Sequence, residues 1–198
     1  MKSAREIARF LDEYCTLLEL NGADAFRTRA YANAVRIFDN FSENIEDVIA
    51  QDALTKIKGI GKSMSALVSE FAREGTAQAY EKLRAETPKG LLDMLRVPGL
   101  GPRKIHAIRS GLGIEDLEGL SAACKNGQLD ALKGFGKKTQ ENILKGIEHI
   151  KRYQDRSRAD LAHQSARYLI EALEAHPATQ RVEAAGSLRR QRETVKDI

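Results

Sequence analysis

The stretch KIKGIGKSMSAL, residues 56–67, places two glycines around one apolar residue, follows them with a lysine, and then runs into a helical pattern. RVPGLGPRKIHAI (96–108) and LKGFGKKTQENIL (132–144) repeat the plan. The first glycines of the three copies, Gly59, Gly99 and Gly134, fall 40 and 35 residues apart. A bare G-x-G carries little weight, since average glycine usage produces about one by chance in a chain this long. The context carries the signal: an apolar residue before, a basic residue after and a helix beyond. Gly111-Leu112-Gly113 serves as an internal control, because Ile114, Glu115 and Asp116 follow it and no basic helix start appears. It reads as a helix C-cap and connector.

The three copies look like helix-hairpin-helix motifs. In each, two glycines allow a tight turn between short helices and let another molecule approach the backbone. The exposed amides then lie at the N-terminus of the second helix, where unpaired N–H groups and the helix dipole favour an anion. Lys62, Arg103, Lys104, Lys137 and Lys138 stand beside them. Phosphate is the anion that fits, and contacts from amides to phosphate oxygens position a nucleic acid without reading its bases. Gly59, Gly61 and Lys62, then Gly99, Gly101, Arg103 and Lys104, then Gly134, Gly136 and Lys137 are the candidate DNA-binding residues. The turn carbonyls of Ile57, Ile60, Val97 and Leu100 offer oxygens through which a monovalent cation, Na+ or K+, would bridge to the phosphate.

Outward from the repeats, Ile7, Phe10, Leu11, Tyr14, Leu17 and Leu18 recur at helical spacing between a candidate N-cap, Ser3, and a stop at Gly22. A second helix starts near Asp24 and runs through AFRTRAYANAVRIF, where Arg27, Arg29 and Arg36 interleave with Phe26, Tyr31 and Phe38. Short helices punctuated by glycine continue to about residue 150. A long amphipathic helix through Leu161, Tyr168, Leu169 and Leu173 then precedes RVEAAGS (181–187), the first candidate strand. Thr87-Pro88 and Gln154 to Ser157 read as connectors.

Over 198 residues, 42% are hydrophobic and 30% charged, with a net charge of +4. That composition supports folded cores rather than disorder, and the sequence pI of about 9.1 suits a polyanionic partner. Cys15 and Cys124 lack zinc or disulfide spacing and read as reduced core thiols. The N-terminal segment is charged throughout and no apolar run is long enough to span a bilayer, so a cytoplasmic protein without membrane association is expected.

AFRTRAYANAVRIF, the hairpins at Gly59 and Gly99, and the terminal GSLRRQRETVKDI (186–198) occur in one order, and together they resemble family X DNA polymerases, most closely the bacterial kind. The resemblance implies a mainly α fold: tandem helix-hairpin-helix domains, then the first helix and strand of a truncated α/β nucleotidyltransferase palm. It divides the chain into an N-terminal helical domain with the first hairpin (1–86), a fingers-like domain with the second and third (87–152), and the incomplete start of a palm (153–198). The implied activity of the parent is template-directed addition of dNTPs at short gaps during DNA repair and replication. By this resemblance the first hairpin holds the downstream side of a gap, the second holds the primer, and Arg27 and Tyr31 lie near a 5'-phosphate.

In the palm, Gly186, Ser187 and Arg190 match the residues that bind the incoming nucleotide's triphosphate, which needs amides, a hydroxyl and a guanidinium. Asp197 matches the first catalytic carboxylate of a D-x-D pair that holds two Mg2+ ions from alternate positions of a strand. Its partner would be residue 199, so the expectation is a monomeric chain cut inside the palm and inactive by itself. Leu67 stands where lyase-competent members place a lysine, leaving Lys56, Lys58 and Lys62 as the nearest amines. Two other readings stand beside this one: a free-standing hairpin scaffold for a repair nuclease or helicase, and a nucleotidyltransferase acting on a substrate other than DNA.

Overall fold

The computed structural model of the chain describes residues 2–154, 157–190 and 194–195. It forms two compact units, residues 1–144 and 145–198.

The first unit is helical because its apolar residues recur every three to four positions, and Ser3, Asp24, Asn44 and Asp116 cap four of its helices with their side chains. α1 (Ala4–Leu20) begins at Ser3 in a reciprocal capping box. The Ser3 backbone N–H donates to Glu6 Oε2 at 2.8 Å, and the Glu6 N–H donates back to Ser3 Oγ at 3.3 Å. α2 (Ala25–Asp39) is capped by Asp24, whose carboxylate accepts from the Phe26 and Arg27 amides. Ile7, Leu11, Tyr14 and Leu18 of α1 are buried, as are Tyr31, Ala34 and Phe38 of α2. Each large apolar side chain so buried contributes about 1.5–3 kcal/mol, and the small Ala34 lets the two helices close on one another.

α3 (Ile45–Ala50) and a 3-10 turn (Leu54–Lys56) lead to the first hairpin and α4 (Lys62–Glu74). α4 joins α1 through Phe71, whose ring stacks on Phe10 at 3.9 Å between centroids. α5 (Gln78–Glu86) and α6 (Lys89–Met94) follow, and then α7 (Pro102–Leu112) and α8 (Leu117–Lys125). A 3-10 turn (Gln128–Ala131) leads into the third hairpin and α9 (Lys137–Gln154). Thr87 and Pro88 do not form a free linker. Thr87 is buried, its hydroxyl donates to Leu83 O at 2.7 Å, and it accepts from Asn21 Nδ2 at 2.7 Å.

In the second unit, α10 (Ala159–Glu174) packs Ala162 and Ala166 against Leu188 of α11 (Gly186–Arg189), with Ala184 alongside. Tyr168, Leu169 and Leu173 of α10 are largely exposed, at 74%, 49% and 50%. The strand expected at RVEAAGS is not formed, since residues 181–185 carry no regular structure. A strand needs a neighbour for its backbone groups, and among the described residues the single ladder lies elsewhere. It pairs β1 (Ser157–Arg158) with β2 (Thr194–Val195) in antiparallel register.

Candidate nucleic-acid interface

The three repeats adopt one backbone geometry. In each, the residue three positions before the middle apolar residue accepts that residue's N–H: Ile60 to Ile57 O at 3.0 Å, Leu100 to Val97 O at 3.1 Å, Phe135 to Leu132 O at 3.3 Å. The intervening glycines sit at positive φ, 99° for Gly59, 79° for Gly99 and 92° for Gly134, where an L side chain is strained. This is the pattern of a type II turn, and Pro98 occupies the position such turns favour for proline. Ile60, Leu100 and Phe135 are buried and anchor each turn to its core.

The second glycine of each copy lies where its helix begins. Gly61 and Gly101 are N-caps with nearly identical dihedrals, φ −83° with ψ 170° and 169°. A glycine supplies no side-chain cap, so the first amides of α4, α7 and α9 keep no side-chain oxygen of their own there. A Cβ added at Gly61, Gly99, Gly101, Gly134 or Gly136 would meet no atom within 4 Å. Five of the six hairpin glycines therefore face open space, which packing alone does not demand. Gly59 differs, because a Cβ there would lie 3.1 Å from Asn33 Nδ2 and Ile37 Cδ1 of α2.

The basic residues divide into two groups. Lys62, Lys137 and Lys138 are exposed and have no carboxylate partner among the described residues. Arg103 and Lys104 are engaged. Arg103 Nε donates to Glu19 Oε1 at 2.9 Å, while Lys104 Nζ donates to Gly99 O at 3.2 Å and lies 5.9 Å from the Phe135 ring centre. Lys104 thereby links the second turn to the third. The same two hairpins meet where Leu132 packs over Gly111, since a Cβ at 111 would come 2.8 Å from Leu132 Cδ2. Gly113 is the C-cap of α7, as the sequence pattern predicts, but Gly111 lies inside the helix and serves this close approach.

A feature invisible to the glycine pattern is Gln140, buried in the third hairpin. Its Nε2 donates to Asp130 Oδ1 at 2.6 Å and to Phe135 O at 2.7 Å. The only sequence signal was a glutamine four residues past a hairpin glycine, at the position Ile105 holds in the second copy. Phe26 is the opposite case: it belongs to the apolar series of α2, yet it is 85% exposed beside Arg27 and Arg29.

Of the residues expected near a 5'-phosphate, Arg27 is exposed, with Nη2 3.5 Å from the Tyr14 hydroxyl. Tyr31 is buried, its ring edge-on to Tyr14 at 5.1 Å, and burial pushes its hydroxyl above the ordinary tyrosine range. Leu67 is buried in α4. Gly186 opens α11 at φ 60° and Arg190 closes it, both exposed. The Ser187 side chain and Asp197 lie outside the described residues. Among the described residues no group of three or more His, Cys, Asp or Glu side chains is placed to hold a metal ion. The magnesium implied by the resemblance thus has no described donor set. No described helix is long and apolar enough to cross a membrane. Cys15 and Cys124 are buried free thiols, and burial raises both above the ordinary cysteine range.

Three turns of one geometry, each opening a helix, define a tandem helix-hairpin-helix chain. Residues 3–77 match the family described as helix-hairpin-helix domain, and residues 91–148 match the SAM-like helix-hairpin-helix tandem. Over 194 residues, 98% of its length, the chain is 33% identical to the DNA polymerase/3'-5' exonuclease PolX of Bacillus subtilis (strain 168). The resemblance to a bacterial family X polymerase drawn from the motifs therefore extends across the chain. The chain spans 34% of the length of that relative. Shorter similarities connect it to the Holliday junction branch migration complex subunit RuvA. The identity is 27% over 99 residues in Acidovorax ebreus, covering 50% of this chain and 52% of that protein. In Leptothrix cholodnii it is 32% over 85 residues, 43% of this chain and 44% of that protein.

Proposed function

We propose that this chain is the DNA-binding portion of a template-directed family X DNA polymerase that adds dNTPs at short gaps during repair. The observation that carries the DNA-binding step is the set of five open hairpin glycines at the starts of three helices, beside exposed lysines. In this reading the phosphates sit on backbone amides, so binding is independent of base sequence. The first hairpin takes the downstream side of a gap with its 5'-phosphate, near Arg27, and the second takes the primer. Phe26 offers a free ring face to an unstacked base. Na+ or K+ would sit at the carbonyls of Ile57 and Ile60 or of Val97 and Leu100. Gly186, Ser187 and Arg190 would meet the triphosphate, and Asp197 would supply one carboxylate for Mg2+. One carboxylate does not make a two-metal site, so nucleotide addition is proposed for the whole polymerase and not for these residues alone.

The test is affinity for a gapped duplex bearing a 5'-phosphate against a blunt duplex of the same length, across a salt series. The reading requires preference for the gap and steep weakening as salt rises. Equal affinity for both would remove the gap assignment, and a flat salt response would remove the phosphate assignment.

A second reading draws on the similarity to RuvA, whose name places it in a Holliday junction complex. Under it, the hairpins form a scaffold for branched DNA and a partner enzyme. Tighter binding to a four-way junction than to a gapped duplex would favour that reading.

A further inference from the structure

The second hairpin differs from the others in the state of its basic side chain. Two residues past the second glycine stand Arg103 in the second copy and Lys138 in the third. Lys138 is exposed, whereas Arg103 is tied by its 2.9 Å bond to Glu19 at the end of α1. The guanidinium is 72% exposed and the carboxylate only 18% exposed, so Glu19 is the fixed partner and Arg103 the one free to leave.

This ion pair is part of a longer contact. Arg103, His106 and Arg109 recur every three residues on one face of α7, and they meet Glu19, Leu20 and Asn21 in turn. His106 Nδ1 lies 3.3 Å from Leu20 O, and Arg109 Nη1 donates to Asn21 Oδ1 at 3.4 Å. The C-terminal end of α1 carries the negative end of its helix dipole, so a cationic face suits it. A carboxylate accepting from a guanidinium makes the same kind of charge-assisted bond that a phosphate oxygen makes.

We propose that the Glu19–Arg103 contact is autoinhibitory: Glu19 stands in for a phosphate and keeps the second hairpin's arginine in reserve until DNA displaces it. The proposal rests on the phosphate reading of the second hairpin. The Arg103 Nε–H that Glu19 holds cannot donate to a phosphate at the same time, so a phosphate taken on that edge of the guanidinium competes with Glu19. By reciprocity, whatever tightens the α1–α7 contact weakens DNA binding, and bound DNA loosens that contact.

The experiment is a double-mutant cycle on the affinity of the chain for a gapped duplex at one fixed moderate salt concentration, using Glu19→Gln, Arg103→Gln and the double variant. Glu19→Gln keeps the side chain's shape, and its expected effect is tighter binding by roughly two- to fivefold, the range of an exposed ion pair. Arg103→Gln weakens binding, and the double variant matches Arg103→Gln, because Glu19 acts only through Arg103. If Glu19→Gln tightens binding by the same factor in both backgrounds, the carboxylate acts as a distant charge and the proposal is overturned. No tightening in the wild-type background overturns it too. Gly101→Val, which blocks the second turn without touching Glu19, separates this failure from that of the underlying reading. If neither Gly101→Val nor Arg103→Gln weakens binding, the second hairpin holds no phosphate and both fall.

Discussion

Gly22 lies against the His106 imidazole so closely that a Cβ on residue 22 would come within 2.4 Å of His106 Cε1. The glycine also sits at φ 75°, in the left-handed region. The turn between α1 and α2 is thus fitted to a residue of α7 more than 80 positions away. Replacing Gly22 with alanine should strain the backbone and push the ring off Leu20 O. The expected loss is about 1–3 kcal/mol, read as a lower urea midpoint. His106→Ala in the Gly22→Ala background should restore part of it, since the clash then has no partner.

Gly101→Val should separate binding from folding. Gly101 has φ −83°, which any L residue adopts, and a Cβ there meets nothing within 4 Å. Stability should fall by only about 1 kcal/mol, the cost of valine at a helix N-cap, while affinity for DNA falls further because the isopropyl group holds the phosphate away from the amides. Gly99→Val makes the contrasting control: at φ 79° it should cost more stability.

Lys62→Ala and Lys137→Ala should act as independent phosphate contacts. Each should weaken binding to all sequences alike and reduce the slope of log K against log salt by about 0.9. A variant that loses affinity without changing the slope would place that lysine away from the phosphates.

The capping box gives a pH signature. Hydrogen bonds from the Ser3 backbone, then from Lys2 and the Ser3 hydroxyl, lower the Glu6 pKa from 4.5 to about 2. The folded value lies below the unfolded one, so the ionised carboxylate's stabilisation is fully present above pH 4.5. It is lost as pH falls through the window from 4.5 to 2. Comparing urea midpoints of wild type and Glu6→Gln over that window should show the two curves converging as acid is added. Parallel curves would mean the carboxylate makes no such bonds in solution.

Gln140→Leu should leave Asp130 and the Phe135 carbonyl without their shared donor inside the third hairpin. The expected loss is about 1–3 kcal/mol. Isoleucine fills the matching position of the second hairpin, Ile105, which makes the substitution sterically reasonable there.

The hairpins were legible because their information is local. A positive-φ glycine, a buried apolar residue and a second glycine encode a turn within four residues, and Ser3 and Asp24 mark their helices in the same local way. What could not be read depends on distant partners. Periodicity put Phe26 and Tyr31 on one helix, but only tertiary packing buries Tyr31 and leaves Phe26 in solvent. Thr87-Pro88 has the composition of a linker, and the side chain of Asn21, 66 residues earlier, makes it a fixed joint. RVEAAGS has the residues of a strand without a neighbouring strand in the described structure. Arg103 belongs to the repeat by position, while its ion pair depends on where α1 ends.

Pro102 opens α7 at the position held by Lys62 in the first copy and Lys137 in the third. Proline has no N–H, so the second turn presents one donor fewer than its neighbours. Three turns of one backbone geometry therefore differ in the number of amides they can offer an anion, the middle one offering the fewest.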